Sequence, residues 1–490
     1  MLYTMNNKIS ETLLVCCALM LLNSNYTYAS PFDDGTVEIN KSASAEDIKE
    51  SVKDKIADIW DSAKDKASDV KEAVADGWDA AKDKASEIKD VAADVLDSAK
   101  DKITDGAGKA KKKATSLYGS LTKKINGLIH KNEKTLDYVN QAIFLPGHES
   151  KEMVCQGIAY LPERVTNPTE QANFKYHNYV LLSYYPKDSD QPSQLVVVDR
   201  TKEAAVKRFP LYKSNGKAYT GHAGGIAVAG RYVWVASGNK IYGFELQEIL
   251  DFLDDKTTTA SAVKGLPDSF DSLPAKDLSC SKTYGVDSKA SYLSFDGKYI
   301  WVGDFTKASN KDYKPVAHHK AFGRNSWIAG YLVDTDGYPT SDIKYTYTAG
   351  DSSYEVYKPD AVIAMRESVQ GMAVCGDYVA MTISYGALDS KLAFYNNPLK
   401  AASEKYTYKP AGQEKSFTVD SWELENDKNW VNTVKLAAGA EDLEYDGKNL
   451  YVTFECSSKN YKQKWMNTNP TVLLTNDFYL INPLKAIESK

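Results

Sequence analysis

Five segments of the sequence begin with a short side chain or a polar group at a matching position. They are QGIAYL at Gln156, GGIAVAG at Gly224, SYLSFDG at Ser291, QGMAVCG at Gln370 and EDLEYDG at Glu441. If the segments converge, their amide, hydroxyl and carboxyl groups would form a polar pocket, and Glu441 with Asp442 could bind calcium or exchange protons with a substrate. The alternative is that they only satisfy backbone groups and buried water.

Two sets of candidate ligand-binding residues follow from these segments. The first set joins the matching positions to His222, which precedes Gly224 by two residues: Gln156, His222, Ser291, Gln370, Glu441 and Asp442. The second set ends the next strand of four segments and predicts a rim: Tyr184, Asp304, Tyr385 and Glu455. Aromatic rings beside small polar groups suit stacking against a sugar or a peptide, although tyrosine at a strand end is also ordinary.

Signals for a metal, a nucleophile or a phosphate loop are weak. The sequence contains no CxxC, HExxH, GxSxG or glycine-rich phosphate motif. His318 and His319 lie in TKASNKDYKPVAHHKAFGR, which reads as a loop, and adjacent side chains on an extended chain point apart, so a metal role is not favoured. The lysines of this loop could attract an anionic glycan or surface. We therefore predict no cofactor, with calcium at Glu441 and Asp442 as the alternative.

The elements that would position these residues are short strands. After each matching position an apolar strand enters a tight turn such as Asp296-Gly297-Lys298, a second strand follows, and a third comes after a variable loop. Some copies add a fourth strand, for which we assign VKRFPLY, IKYTYTA and EKYTYKP. Repeated four-stranded antiparallel units predict a mainly β fold, a β-propeller over residues 141–490.

The number of blades and their closure also follow from the pattern. Five copies predict five blades, and a sixth would require that the insertion from Leu250 to Tyr284 hides a degenerate blade. The last copy lacks a fourth strand, so QAIFLPG from Gln141 is the candidate to complete it and close the circle of blades. A pair of β-sandwiches is the alternative fold, but it would not need the same first-strand motif five times.

The repeated unit xGIAVxGxYVWVxS resembles the blades of secreted β-propellers of the superfamily that contains YVTN-type and lactonase-like proteins. This resemblance covers residues 141–490. It implies a propeller fold with a central channel, and no diagnostic catalytic motif of an enzyme of that superfamily is present.

The first 45 residues predict export. Lys8 precedes the apolar run TLLVCCALMLL and the small residues before Ser30, which is the pattern of a secretory signal peptide over residues 1–30, with a flexible stretch over 31–45. An uncleaved anchor or a lipoprotein are the alternatives. The expected location is extracellular or periplasmic.

Residues 46–105 carry a different repeat. Trp60, Trp78 and Leu96 recur every eighteen residues, which is five turns of an α-helix, and they extend one narrow apolar stripe. The repeat resembles those of exchangeable apolipoproteins and of late-embryogenesis-abundant proteins. Because the stripe is thin, the helix needs a partner: itself, a lipid surface or another protein. Residues 106–140 form a basic linker or helix.

Composition narrows the function classes. A formal net charge of -6 over 490 residues gives no reason to expect nucleic acid as a partner. Beyond the signal there are four cysteines, which an oxidising compartment could pair in three ways or which are buried free thiols: Cys155, Cys280, Cys375 and Cys456. We predict a secreted non-enzymatic protein that binds a glycan, a protein or the cell envelope, with self-association through residues 46–105. A propeller hydrolase or lyase acting on a lactone or glycan is the alternative.

Overall fold

A computed structural model describes residues 136–147, 152–161, 176, 178–187, 190–255, 273–349, 352–424, 429–469 and 472–489. The predicted signal peptide (1–30), flexible stretch (31–45), helical repeat (46–105) and most of the basic segment lie outside these residues. Within them, no helix is long and apolar enough to cross a membrane.

Four-stranded antiparallel sheets repeat around an axis as the five blades of a β-propeller. A first strand, β1 (Val139–Phe144), precedes them. The first blade contains β2 (Met153–Tyr160), β3 (Tyr179–Pro186), β4 (Gln194–Asp199) and β5 (Ala204–Tyr212). The second blade contains β6 (Ile226–Ala229), β7 (Tyr232–Ser237), β8 (Lys240–Glu245) and β10 (Lys282–Gly285). Between β8 and β10 the chain forms helix α1 (Leu246–Asp254) and a short strand, β9 (Leu278–Ser279), which pairs with the edge of the first blade.

The third and fourth blades each carry an inserted hairpin. The third blade consists of β11 (Tyr292–Phe295), β12 (Tyr299–Gly303), β13 (Ser326–Leu332) and β16 (Ala361–Met365). A hairpin of β14 (Lys344–Ala349) and β15 (Ser352–Tyr357) is inserted before β16. The fourth blade consists of β17 (Val369–Cys375), β18 (Tyr378–Ile383), β19 (Ser390–Asn396) and β22 (Trp430–Leu436). A hairpin of β20 (Glu404–Tyr408) and β21 (Phe417–Glu423) is inserted before β22.

Two of the predicted fourth strands were therefore wrong. IKYTYTA forms β14, which pairs only with β15, and EKYTYKP forms β20, whose partner β21 adds in parallel to the outer edge of the third blade. Their alternating tyrosines fit a blade strand, but the more apolar β16 and β22 follow them in the chain and occupy that place. VKRFPLY was assigned correctly and lies in β5.

The last blade closes the circle. It contains β23 (Ala440–Tyr445), β24 (Leu450–Phe454) and β25 (Asp477–Ile481), with helix α2 (Lys459–Thr468) between the last two and helix α3 (Pro483–Glu488) after them. The fourth strand is β1, which pairs antiparallel with β25, as predicted for the segment at Gln141. A strand from before the first blade thus holds the last blade, and both sheet edges at the junction are paired.

The innermost strands define the axis. Each of β2, β6, β11, β17 and β23 contacts the next in that order, and β23 contacts β2. Glycine makes this close approach possible: a Cβ on Gly225 would lie 2.3 Å from the Leu293 nitrogen, and one on Gly371 would lie 2.8 Å from the Leu443 nitrogen. The GI and GM dipeptides of the repeat are explained by this crowding, because any larger residue would force neighbouring blades apart.

Apolar residues of adjacent blades form the core. The alternating strand residues Leu443, Val452 and Phe454 of the last blade pack with Leu392 and Phe394 of the fourth, and equivalent clusters fill the other interfaces. The four cysteines within the described residues are buried and form no disulfide with one another: Cys155, Cys280, Cys375 and Cys456. No described segment forms a sixth blade, since the insertion from Leu250 supplies α1, β9 and β10.

Candidate functional site near the propeller axis

Three innermost strands are irregular at the same place. The register of β2 shifts between Cys155 and Ile158, that of β17 between Val369 and Gly371, and that of β23 between Ala440 and Leu443. A β-bulge adds a residue to one strand and re-aims its side chain. The added residues include the polar positions at which the sequence motifs match: Gln156, Gln370 and Glu441.

These bulges bring two amide–carboxyl pairs together. The Gln370 Nε2 donates to Glu441 Oε1 at 3.2 Å, and the Gln156 Nε2 donates to Glu455 Oε1 at 3.4 Å. Glu455 follows β24 and is partly buried, whereas Glu441 is only 5% exposed. We call Gln156, Gln370, Glu441 and Glu455 the inner polar cluster. Sequence analysis placed Glu455 in the separate rim set, but the structure puts it beside Gln156.

The two carboxyl groups of this cluster hold their protons unusually well. Burial, with repulsion from the charges of Glu455 and Asp442, raises the pKa of Glu441 well above its usual range. Burial likewise raises the pKa of Glu455 to about 7, against the opposing effects of Tyr461 and Lys187. No ion pair of the described residues includes either group. Both carboxyl groups are therefore harder to ionise than a free glutamate, and the positive charge of Lys187 offsets this only in part at Glu455.

Aromatic side chains lie next to the cluster. The hydroxyls of Tyr185 and Tyr461 are 3.3 Å apart, and the Lys187 Nζ lies 4.4 Å from the centre of the Tyr461 ring. The Tyr185 ring packs on the His222 imidazole with centres 4.1 Å apart. Surrounding protein lowers the pKa of His222, although its ring still contacts solvent. Glu455 and Glu441 both act electrostatically on Tyr185, so these rings border the carboxyl pair.

Asp442 has a different position from Glu441. It occupies the place that Gly157, Gly225 and Gly371 hold in other blades, and its Oδ2 accepts hydrogen bonds from the backbone N–H groups of Ile158 at 3.3 Å and Ile226 at 3.2 Å. It is fully buried, and burial raises its pKa well above the usual range. Asp442 thus ties the last blade to the first and second across the axis.

The remaining predicted residues are placed elsewhere. The Ser291 hydroxyl accepts from the Phe305 N–H at 3.0 Å. Tyr184 and Asp304 are 2% and 1% exposed, so the prediction that they lie on an exposed rim was wrong. Strand alternation turns Tyr184 inward, where its hydroxyl donates to the Pro146 carbonyl at 2.9 Å, and Tyr185, on the other side of the strand, is itself only 9% exposed. Tyr385 is 40% exposed and lies beside Phe305.

The adjacent histidines do not point apart as expected for an extended loop. His318 and His319 end a short 3-10 turn, Ala317–His319, and both imidazoles reach the buried Asp287. A tight turn rotates successive side chains by much less than an extended strand does, so neighbours can share one partner. Nothing in the sequence pointed to Asp287, which lies between two strands.

Sequence reasoning also missed Lys187, Tyr185 and Tyr461. Tyr185 was recoverable, because in a strand the neighbour of an inward residue faces the other side. Tyr461 lies on α2, within a loop of the last blade, and no repeat position marks it.

Comparison with known proteins gives only distant likenesses. No protein-family profile matches the sequence, and no curated protein matches it. Among solved structures, the glutaminyl cyclase of Myxococcus xanthus is similar at 6% identity with a TM-score of 0.32, covering 70% of this chain and 94% of that one. BamB from Moraxella catarrhalis is similar at 9% identity and a TM-score of 0.24, covering 65% and 96%. The computationally designed protein Ika8 is similar at 6% identity and a TM-score of 0.20, covering 67% and 70%.

Proposed function

We propose that the propeller is a binding module for a glycan that carries free amino groups, and that the inner polar cluster is its binding site. The observation that carries this proposal is the buried pair of Glu441 and Glu455, which has no ion-pair partner among the described residues. A bound ammonium group would supply the missing positive charge and would stabilise the ionised form of both carboxyls.

The surroundings of the pair suit a sugar. The Gln156 and Gln370 amides offer further hydrogen-bonding groups for hydroxyls, and the Tyr185 and Tyr461 rings offer flat apolar surface beside them. Saccharide sites combine these two features because a sugar presents C–H faces and a belt of hydroxyls. An exported protein would meet such glycans outside the cell, which agrees with the predicted signal peptide.

The test is isothermal titration calorimetry with three tetrasaccharides that share β-1,4 linkage: glucosamine, N-acetylglucosamine and glucose. We expect the glucosamine tetramer to bind and the other two to bind at least tenfold more weakly. Glu455→Gln should weaken binding by about 10–100-fold, the value of one charge-assisted hydrogen bond. Glu414→Gln, on an exposed loop, is the matched control and should leave affinity unchanged. Equal binding of the three sugars would contradict the proposal.

A second candidate function is favoured by the unequal pKa values of the same pair. A carboxyl group whose pKa is raised well above its usual range, Glu441, beside one with a pKa of about 7, Glu455, is an arrangement that suits a general acid and a general base. We therefore keep a glycan hydrolase or lyase as the alternative. Shortened or unsaturated products after incubation with the glucosamine tetramer, detected by mass spectrometry and absent with Glu441→Gln, would favour it.

For residues 46–105 we propose a docking or oligomerisation arm. Deletion of residues 31–135 should leave a protein that melts cooperatively at nearly the same temperature, because the blades and the closing strand β1 all follow residue 138. The sedimentation velocity of the full mature chain should indicate a larger assembly than that of the truncated chain. Loss of cooperative melting in the truncated protein would contradict the arm as a separate unit.

A further inference from the structure

A second polar cluster, which shares no residue with the inner polar cluster, lies between the third blade and the hairpins inserted in the third and fourth blades. Asp287 is fully buried, and both histidines contact its carboxylate. His318 Nε2 lies 2.9 Å from Oδ2, and His319 Nε2 lies 2.9 Å from Oδ1. The Tyr345 hydroxyl donates to the same carboxylate. The three potential ligand atoms lie within 4.8 Å of one another.

From this geometry we propose that Asp287, His318 and His319 bind a divalent transition-metal ion, with zinc the best fit. Two imidazole nitrogens and one carboxylate oxygen are a donor set of zinc and of non-haem iron sites. Metal–ligand bonds of about 2.1 Å hold ligand atoms roughly 3.4 Å apart, so the two nitrogen–oxygen separations of 2.9 Å need to open by only a few tenths of an ångström.

The atoms behind His319 argue for a metal rather than for a self-contained hydrogen-bond network. If His319 Nε2 donates a proton to Asp287, its Nδ1 is an acceptor, and it lies 3.9 Å from Oδ2 of Asp304. Both oxygens of Asp304 and the His319 Nδ1 are buried without a hydrogen-bond partner. When Asp304 is ionised, two acceptors then face each other in a site where Asp304 is 1% exposed.

A metal on Nε2 resolves this conflict. The imidazole proton would move to Nδ1 and point toward Asp304, which gives the carboxylate–histidine–metal arrangement found behind metal ligands. Asp304 would then be a positioning residue that fixes the His319 ring without touching the ion.

Aromatic side chains pack against the imidazoles of His318 and His319, and a cavity borders His318. Trp327 stacks on His319 with centres 4.4 Å apart, and Tyr408 stacks on His318 at 5.6 Å. Some of the aromatic side chains that pack on His318 lie on β14 and β20, the strands that sequence analysis assigned wrongly to blade edges. His318 borders a cavity of about 500 Å³, which Tyr347 and three lysines also line: Lys289, Lys311 and Lys314.

The test uses the full mature chain, purified without chelator and without a histidine tag. Inductively coupled plasma mass spectrometry should find close to one zinc or other transition-metal ion per chain, either as purified or after incubation with excess Zn²⁺ and desalting. His318→Ala should lose this ion, and His222→Ala, which removes a histidine outside the cluster, should keep it. Asp304→Asn should retain the site with affinity reduced about 10–100-fold.

A measurement without any variant covers the case in which His318→Ala does not fold. Addition of Co²⁺ to the metal-free wild-type chain should give visible d–d absorption bands of low-symmetry nitrogen and oxygen coordination, and Zn²⁺ should displace them. Less than a tenth of an equivalent of bound metal together with no cobalt bands would overturn the proposal. Equal metal content in the His318→Ala and His222→Ala variants would overturn it as well.

Discussion

Asp442→Ala is expected to lower the free energy of unfolding by about 2–6 kcal/mol. The substitution removes the acceptor for the backbone N–H groups of Ile158 and Ile226, which are both buried in neighbouring blades. A buried donor left without a partner costs about 1–3 kcal/mol, and here two are left at once. Urea unfolding followed by tryptophan fluorescence measures the change.

Asp442→Asn is the matched variant for this prediction. Its amide oxygen can accept both hydrogen bonds, and burial raises the pKa of the native Asp442 well above its usual range, which favours an uncharged group at this position. We therefore expect it to remain within about 1 kcal/mol of the wild type. If alanine and asparagine destabilise equally, Asp442 does not act through its oxygen, and its role in tying the blades together is wrong.

Glu455→Gln is expected to make the protein more stable as the pH rises. A carboxyl whose pKa is about 7 in the folded state and lower in the unfolded state binds more protons when folded, so its contribution to stability falls between about pH 4.5 and 7. Glutamine cannot ionise, so the Glu455→Gln variant does not lose this stability as the pH rises. The variant should match the wild type at pH 4 and exceed it by up to about 3 kcal/mol at pH 8.

The difference between the two proteins isolates this group. His222 and His319 have lowered pKa values, so they contribute the opposite slope, stability rising with pH up to their unfolded value. Both proteins contain these histidines, and their effect cancels in the comparison. Thermal or urea unfolding at five pH values measures the difference, and a constant offset across the range would show that Glu455 is not perturbed by burial.

Much of the fold could be predicted from the sequence because the propeller repeats its own signals. The turn glycines and the GI or GM dipeptides mark the innermost strands, and Gln141 could be recognised as the start of a missing strand. The strands at the blade edges were harder to predict from the sequence. β14 and β20 have the alternation of a blade strand, and although β16 and β22 are more apolar, the place of each strand depends on packing between insertions.

The candidate site was predictable only in part. Repeat positions identified Gln156, Gln370 and Glu441, because bulges fall at the same place in these three copies. Contacts between blades are not encoded in any one segment, so the pairing of Gln156 with Glu455 could not be foreseen. The cluster at Asp287 was missed for the same reason, and because a 3-10 turn replaced the extended loop that the sequence suggested at His318.

The most direct test of the binding proposal is the number of protons exchanged when the glucosamine tetramer binds. Titration calorimetry at pH 6, where the sugar amines already carry their protons, in two buffers of different ionisation enthalpy gives this number. If the ammonium groups bind to Glu441 and Glu455, both carboxyls must lose protons, and the wild type should release protons that the Glu441→Gln, Glu455→Gln double variant does not. Binding without proton release would contradict the proposed site.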